Sequence, residues 1–290
     1  MGIKHDLQRS IKIILNHNRE GSFATQASRE HMLMGFAEEV VTSGFGLKDI
    51  RGLKQKHIIS AIQCWQQKKL AVATIKNRTA TLRYLCAKIN KANIVPSNKD
   101  LNIGKRQYTP KYNRAIFNPD FSKISNAHIR ISLELQRVFG LRREEALKIK
   151  PHLADKNNTL ELLPSWCKGG RGRFIPIRTE EQRYWLEQAK AMAGKFGNSL
   201  IPENKNYIQH RYVYDKQVAR AGLRNMHGLR HAYAQQRYQE LTGWQAPLNN
   251  GTKVTGLTTE ERKRDYQARM ILTEELGHSR EQITVNYLGR

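Results

Sequence analysis

The chain has 290 residues, enough to bury a substantial core in one or two domains. Its 50 Lys and Arg outnumber 25 Asp and Glu, a formal net charge of +25. That excess points to a polyanionic partner, most simply nucleic acid, although charge alone separates neither DNA from RNA nor binding from catalysis. Cys64, Cys86 and Cys167 are odd in number, widely spaced and lack a Cys-x-x-Cys pair. They encode neither a disulfide framework nor a structural zinc site, and read as reduced thiols in a cytosolic protein. Met1-Gly2-Ile3-Lys4-His5-Asp6 lacks the apolar run of a signal peptide and falls short of a myristoylation motif. No apolar stretch approaches membrane-spanning length, so no membrane partner is expected.

Taken in order, residues 1 to about 92 read as helices throughout. Leu7, Ile11, Ile14 and Leu15 recur at helical spacing. A second helix runs from about Ser22, with Met32, Phe36, Val40 and Val41 on one face, and stops at Ser43-Gly44. A third carries Ile58, Ile62 and Trp65; a fourth carries Ile75, Leu82, Leu85 and Ile89 among lysines and arginines. With no strand-like alternation, this half is predicted to be a small helical bundle. Residues 1–110 hold 19 Lys and Arg against 7 Asp and Glu, and the remainder 31 against 18, so both halves are basic. Two basic lobes suit a clamp around a duplex better than one basic tail would. From Val95 to Asp120 the apolar periodicity disappears at Pro96, Pro110 and Pro119, which predicts a linker.

The second half changes character. A helix from about Ser125 to Phe139 breaks at Gly140, and another resumes through Ala146-Leu147. Residues 159–163 and 173–177 read as two short strands joined by a turn rich in glycine (Gly169, Gly170, Gly172). Helices follow at about 179–192, 207–221, 226–241, 260–276 and 280–288, with a polar stretch from Gly243 to Thr259. The predicted fold class is mainly α with one small β-sheet: a helical bundle, then an α+β domain.

Four weak signals in this half gain weight together. Arg142 opens a helix with Glu145 one turn on, able to orient it, although such a pair alone is more often a surface salt bridge. Lys168 sits at the hairpin turn, where a lysine is usually just solvated. His227 and Arg230, three apart at a helix start, share a face. His278 precedes Tyr287 by nine residues, and a tyrosine there becomes a candidate nucleophile once cations can clamp a phosphate around it.

In that order the segments resemble the tyrosine recombinase (phage integrase) family. Arg142 matches the first arginine of its Gly-Leu-Arg-x-x-Glu-Ala-Leu segment, with Glu145 at the acidic position. Residues 166–177 look like its β-hairpin, whose lysine falls on Lys168. His227-Gly228-Leu229-Arg230-His231 is similar to its His-x-Leu-Arg-His signature, and Leu276-Gly277-His278 stands at the family's distance from Tyr287. The resemblance covers about residues 115–290 well. Over residues 1–92 it rests on a basic helical bundle standing where the family has its core-binding domain. It implies a core-binding domain at 1–95, a linker at 96–114 and an α+β catalytic domain at 115–290. It further implies Arg142, Lys168, His227, Arg230, His278 and Tyr287 as catalytic residues, with Glu145 supporting Arg142 and neither metal nor nucleotide cofactor. Partners would be double-stranded DNA with specific recombination sites, copies of the chain itself as a tetramer on paired sites, and DNA-bending accessory proteins. The setting would be the bacterial cytoplasm, in association with the nucleoid, and the likeness points to the integrase of a mobile element.

Two departures stand out. Arg230 to His278 spans 48 residues, longer than usual in the family, and the excess falls in Gly243–Thr259, which reads as an inserted loop. Only three residues follow Tyr287, so the sequence predicts little segment for exchange between subunits, where many relatives exchange one. Nor does the sequence lead us to expect an extra domain before the bundle for binding at distant arm sites. The alternative readings are a type IB topoisomerase, which reseals the same strand without partners, and a non-catalytic basic DNA- or RNA-binding protein.

Overall fold

Leu7, Ile11 and Ile14 recur every three or four residues, which places one buried stripe on α1 (Ile3–His17). That stripe meets α2 (Phe23–Thr42), whose Leu33, Phe36, Ala37 and Val40 are buried in turn. Ser22 starts α2 by accepting the Thr25 amide. α3 (Gln55–Gln67) and α4 (Val72–Lys88) complete the bundle with Ile58, Trp65, Leu82 and Leu85, each contributing roughly 1.5–3 kcal/mol by its burial. The Trp65 indole N–H donates to Glu39, which also pairs with Arg78 and Lys68.

This computed structural model describes residues 2–290, and the chain divides into two compact units, Met1–Gln107 and Tyr108–Arg290. The stretch expected as a linker at 96–114 is therefore split between them. Leu101 and Ile103 are buried in the core of the first unit, because two apolar side chains without helical period can still cap a bundle from a turn.

The second unit begins its regular structure at α5 (Ala127–Phe139), capped by the Asn126 side chain, followed by α6 (Arg143–Lys148) and the one-turn α7 (Pro151–Ala154). Strands β1 (Thr159–Leu162) and β2 (Arg173–Pro176) pair antiparallel, with Leu160 opposite Ile175 and Leu162 opposite Arg173. Period-two alternation sends Leu160, Leu162, Ile175 and Arg173 to the buried face, and leaves Phe174 58 % exposed on the other. Next come α8 (Glu180–Ala193), α9 (Tyr207–Arg220), α10 (Gly228–Thr242), α11 (Thr259–Glu275) and α12 (Val285–Leu288). The segment expected as one helix over 280–288 is a 3-10 turn, Glu281–Thr284, running into α12.

α10 is the centre of this unit. Residues 228–235 are buried without a break, so the helix has no solvent stripe along its first two turns. It packs against α5, α11 and α12. Its buried face carries polar side chains, Arg230, His231 and Gln235 among them, and a core helix holds such groups only where partners or a ligand satisfy them. Among the described residues no helix is long and apolar enough to cross a membrane.

Candidate active site

Glu145 is the hub around which the site is built. Its carboxylate lies wholly buried in the first turn of α6 and accepts the backbone N–H of Arg142 at 2.7 Å and Arg142 Nη1 at 2.6 Å. Arg173, reaching in from β2, gives Nη1 to Oε1 at 3.0 Å and Nη2 to Oε2 at 2.8 Å. Arg230 Nη1 stands 4.0 Å from the same carboxylate. Burial works against the charge on Glu145, but the hydrogen bonds and charge of Arg173, with Arg230 and Arg142 beside it, hold its carboxyl down at about 2. One carboxylate thus fixes the heads of two arginines and faces a third.

Arg230 is fully buried. Its Nη1 donates to the Gly140 carbonyl at 2.5 Å, its Nη2 to the Leu276 carbonyl, and its Nε to the Tyr287 hydroxyl at 3.4 Å. Arg142 Nη2 reaches the same Leu276 carbonyl at 3.2 Å. Leu276 caps α11, and the chain turns at Gly277, whose φ of +62° lies in the left-handed region. A Cβ there would stand 3.0 Å from Arg173 Cδ, so the turn needs glycine both for its conformation and for that close approach. Burial pushes the Arg230 guanidinium down to about 10, still well above neutral pH.

Tyr287, 5 % exposed on α12, is enclosed by imidazoles. The His231 ring lies 4.7 Å from its ring, His278 5.5 Å and His227 6.1 Å. Burial first, then the charges of Arg230, Arg142 and Arg173, pushes His278 down to about 3. Burial, with His227 and the cations Arg114 and Arg230 beside it, brings His231 to about 4. His227 is shifted the same way by burial, Arg230 and Arg142, although its exposed side leaves solvent to screen part of the effect. These rings are therefore neutral at pH 7 and each can accept a proton. His278 Nε2 and His231 Nδ1 are buried and find no protein partner, which leaves them for a bound group.

The structure thus brings together six of the seven residues singled out in the sequence: Arg142, Glu145, His227, Arg230, His278 and Tyr287. Lys168 stands apart. It is exposed on the 3-10 turn Lys168–Gly170, where Gly169 and Gly170 both take positive φ, and no hydrogen bond or ion pair ties it to the cluster. Three further residues of the site are not among those seven, although Arg173 lies in the hairpin and His231 in the signature already quoted. Arg173 was detectable, because it stands two positions before Ile175 in a strand and so faces the same buried side. His231 lies one helical turn after His227. Gln235, whose Nε2 donates to the Tyr287 carbonyl at 2.8 Å, continues the same face of α10. Among the described residues no three His, Cys, Asp or Glu side chains converge as a metal-binding group.

A basic, two-unit chain with a phenol, three guanidiniums and neutral imidazoles in one cluster is equipped to act on a phosphate ester. Residues 5–95 match the family model described as phage integrase, N-terminal, and residues 104–236 the model described as integrase; together they take in most of the chain. Comparison with curated proteins finds no match. Among solved structures, the chain is similar to the XerH site-specific recombinase bound to palindromic difH substrate in a post-cleavage complex, at 16% identity and a TM-score of 0.57, covering 97% of this chain and 80% of that one. It is likewise similar to the Tn1549 transposon integrase in complex with circular intermediate DNA, at 15% identity and a TM-score of 0.56, covering 100% of this chain and 96% of that one. At such identities the likeness is one of fold. The chain belongs to the tyrosine recombinase (phage integrase) family.

Proposed function

We propose that this protein is a site-specific DNA recombinase that cuts and rejoins strands through a covalent 3′-phosphotyrosyl link to Tyr287. The observation that carries the reading is the contact between the Tyr287 hydroxyl and Arg230, beside an Arg142 that shares the Leu276 carbonyl. A phosphodiester is a poor electrophile, and its transition state gathers charge on the non-bridging oxygens. Arg142 and Arg230 offer paired planar donors to those oxygens, which lysine could not. Tyr287 attacks phosphorus and the bond to the 5′ oxygen breaks. The phenolic proton passes to a neutral imidazole, His227 or His278, and the departing 5′ oxygen takes a proton from Lys168, brought in on the turn it shares with Gly169 and Gly170. The new ester conserves the bond energy, so a 5′ hydroxyl from another strand reseals it.

None of these steps draws on a metal or nucleotide, and none of the donors is other than a side chain. The partner in this reading is duplex DNA carrying specific sites, with two sites held by a tetramer that assembles on DNA and is aided by bending proteins. Its setting is a bacterial mobile element, in the cytoplasm at the nucleoid. The XerH and Tn1549 structures named above contain DNA, which supports a DNA partner here. Incubation with DNA nicked close to the candidate site should trap a protease-sensitive adduct, which Tyr287→Phe should abolish while DNA affinity stays nearly intact. An adduct that survives in the Phe variant would remove Tyr287 from the role. Relaxation of supercoiled DNA with no paired sites would favour a topoisomerase instead.

A further inference from the structure

The polar stretch after α10 reads in the sequence as an inserted loop, yet it is a built structure. Gly251 N–H and Asn249 N–H both donate to the Ala246 carbonyl, at 3.0 and 2.7 Å, and Ala246 is wholly buried. A Cβ on Gly251 would fall 1.8 Å from the Gln245 carbonyl oxygen, so this closure admits only glycine. The closed turn is laid against the end of α12. A Cβ on Gly289 would meet Leu248 Cγ at 3.0 Å and Pro247 Cβ at 3.3 Å, two residues beyond Tyr287.

A run of carboxamides links that turn to Tyr287. Asn249 Nδ2 donates to Gln245 Oε1 at 2.5 Å, and its Oδ1 is met by Asn113 Nδ2 at 3.5 Å, the longest link. Asn113 and Gln235 exchange two hydrogen bonds, Nδ2 to Oε1 at 3.1 Å and Nε2 to Oδ1 at 2.8 Å. Gln235, almost wholly buried, then gives Nε2 to the Tyr287 carbonyl at 2.8 Å. These amides carry no charge, so they orient the backbone without altering the electrostatics of the phosphate site.

We infer that the turn at residues 245–251, acting through Asn249, Asn113 and Gln235, is a positioning clip that holds α12 so that the Tyr287 hydroxyl stays at Arg230. The inference rests on Tyr287 being the nucleophile. α12 is only four residues long and could not hold a phenol in line by itself. The clip supplies the missing support from the same chain, where Gly289 meets Leu248 and Pro247.

The test measures single-turnover adduct formation on nicked DNA for Gln235→Met, Asn249→Ala and the double variant, with DNA affinity and melting temperature alongside. Gln235→Met keeps volume and loses the donor to the Tyr287 carbonyl. Each single variant should slow adduct formation, by up to about 10²-fold for Gln235→Met, with affinity unchanged. The double variant should be no slower than Gln235→Met alone, because the two act along one path. Wild-type rates in Asn249→Ala, additive losses in the double variant, or affinity falling in parallel with rate would overturn the clip. If Gln235→Met does not fold, the half-buried Asn249→Ala decides by rate against affinity. A wild-type protein that forms no Tyr287-dependent adduct would instead remove the nucleophile assignment.

Discussion

Arg173 grips Glu145 with both terminal nitrogens, at 3.0 and 2.8 Å, and each side chain is buried. The same Arg173 holds the Glu275 carbonyl through Nε at 2.7 Å, so β2, α6 and the end of α11 meet on one guanidinium. Lysine has one ammonium and could not make that fork. Arg173→Lys is expected to lower the urea midpoint and slow cleavage together, since Glu145, which orients Arg142, would lose the fork that fixes its carboxylate. A variant with unchanged stability would show that the fork contributes little.

Arg142→Ala and Arg230→Ala separate clamping from docking. Loss of one transition-state donor costs roughly 10²–10³ in rate, while many other cations share the phosphate contacts that set affinity. Cleavage should therefore collapse in both variants with binding reduced far less. Arg230→Ala also strips the donor from the buried Gly140 carbonyl and leaves the Leu276 carbonyl with Arg142 alone, so its melting temperature is needed beside its rate. Binding and cleavage that fall in parallel would make the arginine a docking residue.

Lys168 is exposed and unpaired, so Lys168→Ala should leave stability untouched. If the lysine protonates the leaving 5′ oxygen, the variant cleaves ordinary DNA slowly and is rescued by a 5′ bridging sulfur, a better leaving group. Equal defects on both substrates would count against that role.

His210 on α9 offers a pH test away from the site. It is wholly buried, and neither ring nitrogen finds a protein partner. Burial, with the charges of His128 and Lys205, pushes it from an ordinary 6.5 down to about 4. Below pH 6.5 the unfolded chain takes up a proton that the folded chain refuses until about 4. Stability is therefore full above 6.5 and lost as pH falls to about 4, by roughly 3 kcal/mol for this group. His210→Leu should lose less stability than the wild type between pH 7 and pH 5 in urea titrations. Identical losses would mean that His210 does not titrate in this way.

Cleavage should survive EDTA, because every proposed donor is a side chain and a two-metal nuclease would stop. Affinity should drop steeply with salt as counterions return to the duplex. Cleavage abolished by chelation and restored by magnesium would sink the proposed chemistry.

Much of this molecule is local, and local order can be read from a sequence. The apolar spacing of Leu7, Ile11 and Ile14, the Ser22 and Asn126 caps, and the Arg142–Glu145 pair each depend on residues a turn apart. His227, His231 and Gln235 follow one helical face for the same reason. Distance in the chain hides the rest. A buried arginine is stable only beside a carboxylate, and the partner of Arg173 lies 28 residues away, so its strand position shows that it points inward but not what it meets. Tertiary packing also moved Leu101 and Ile103 out of an expected linker into a core, and left Lys168 in solvent despite its motif. The stretch after Gly243 reads as an inserted loop because its polar residues show no period. Its order comes from carboxamides that pair across 136 residues, Asn113 with Asn249, which only the folded chain brings within reach.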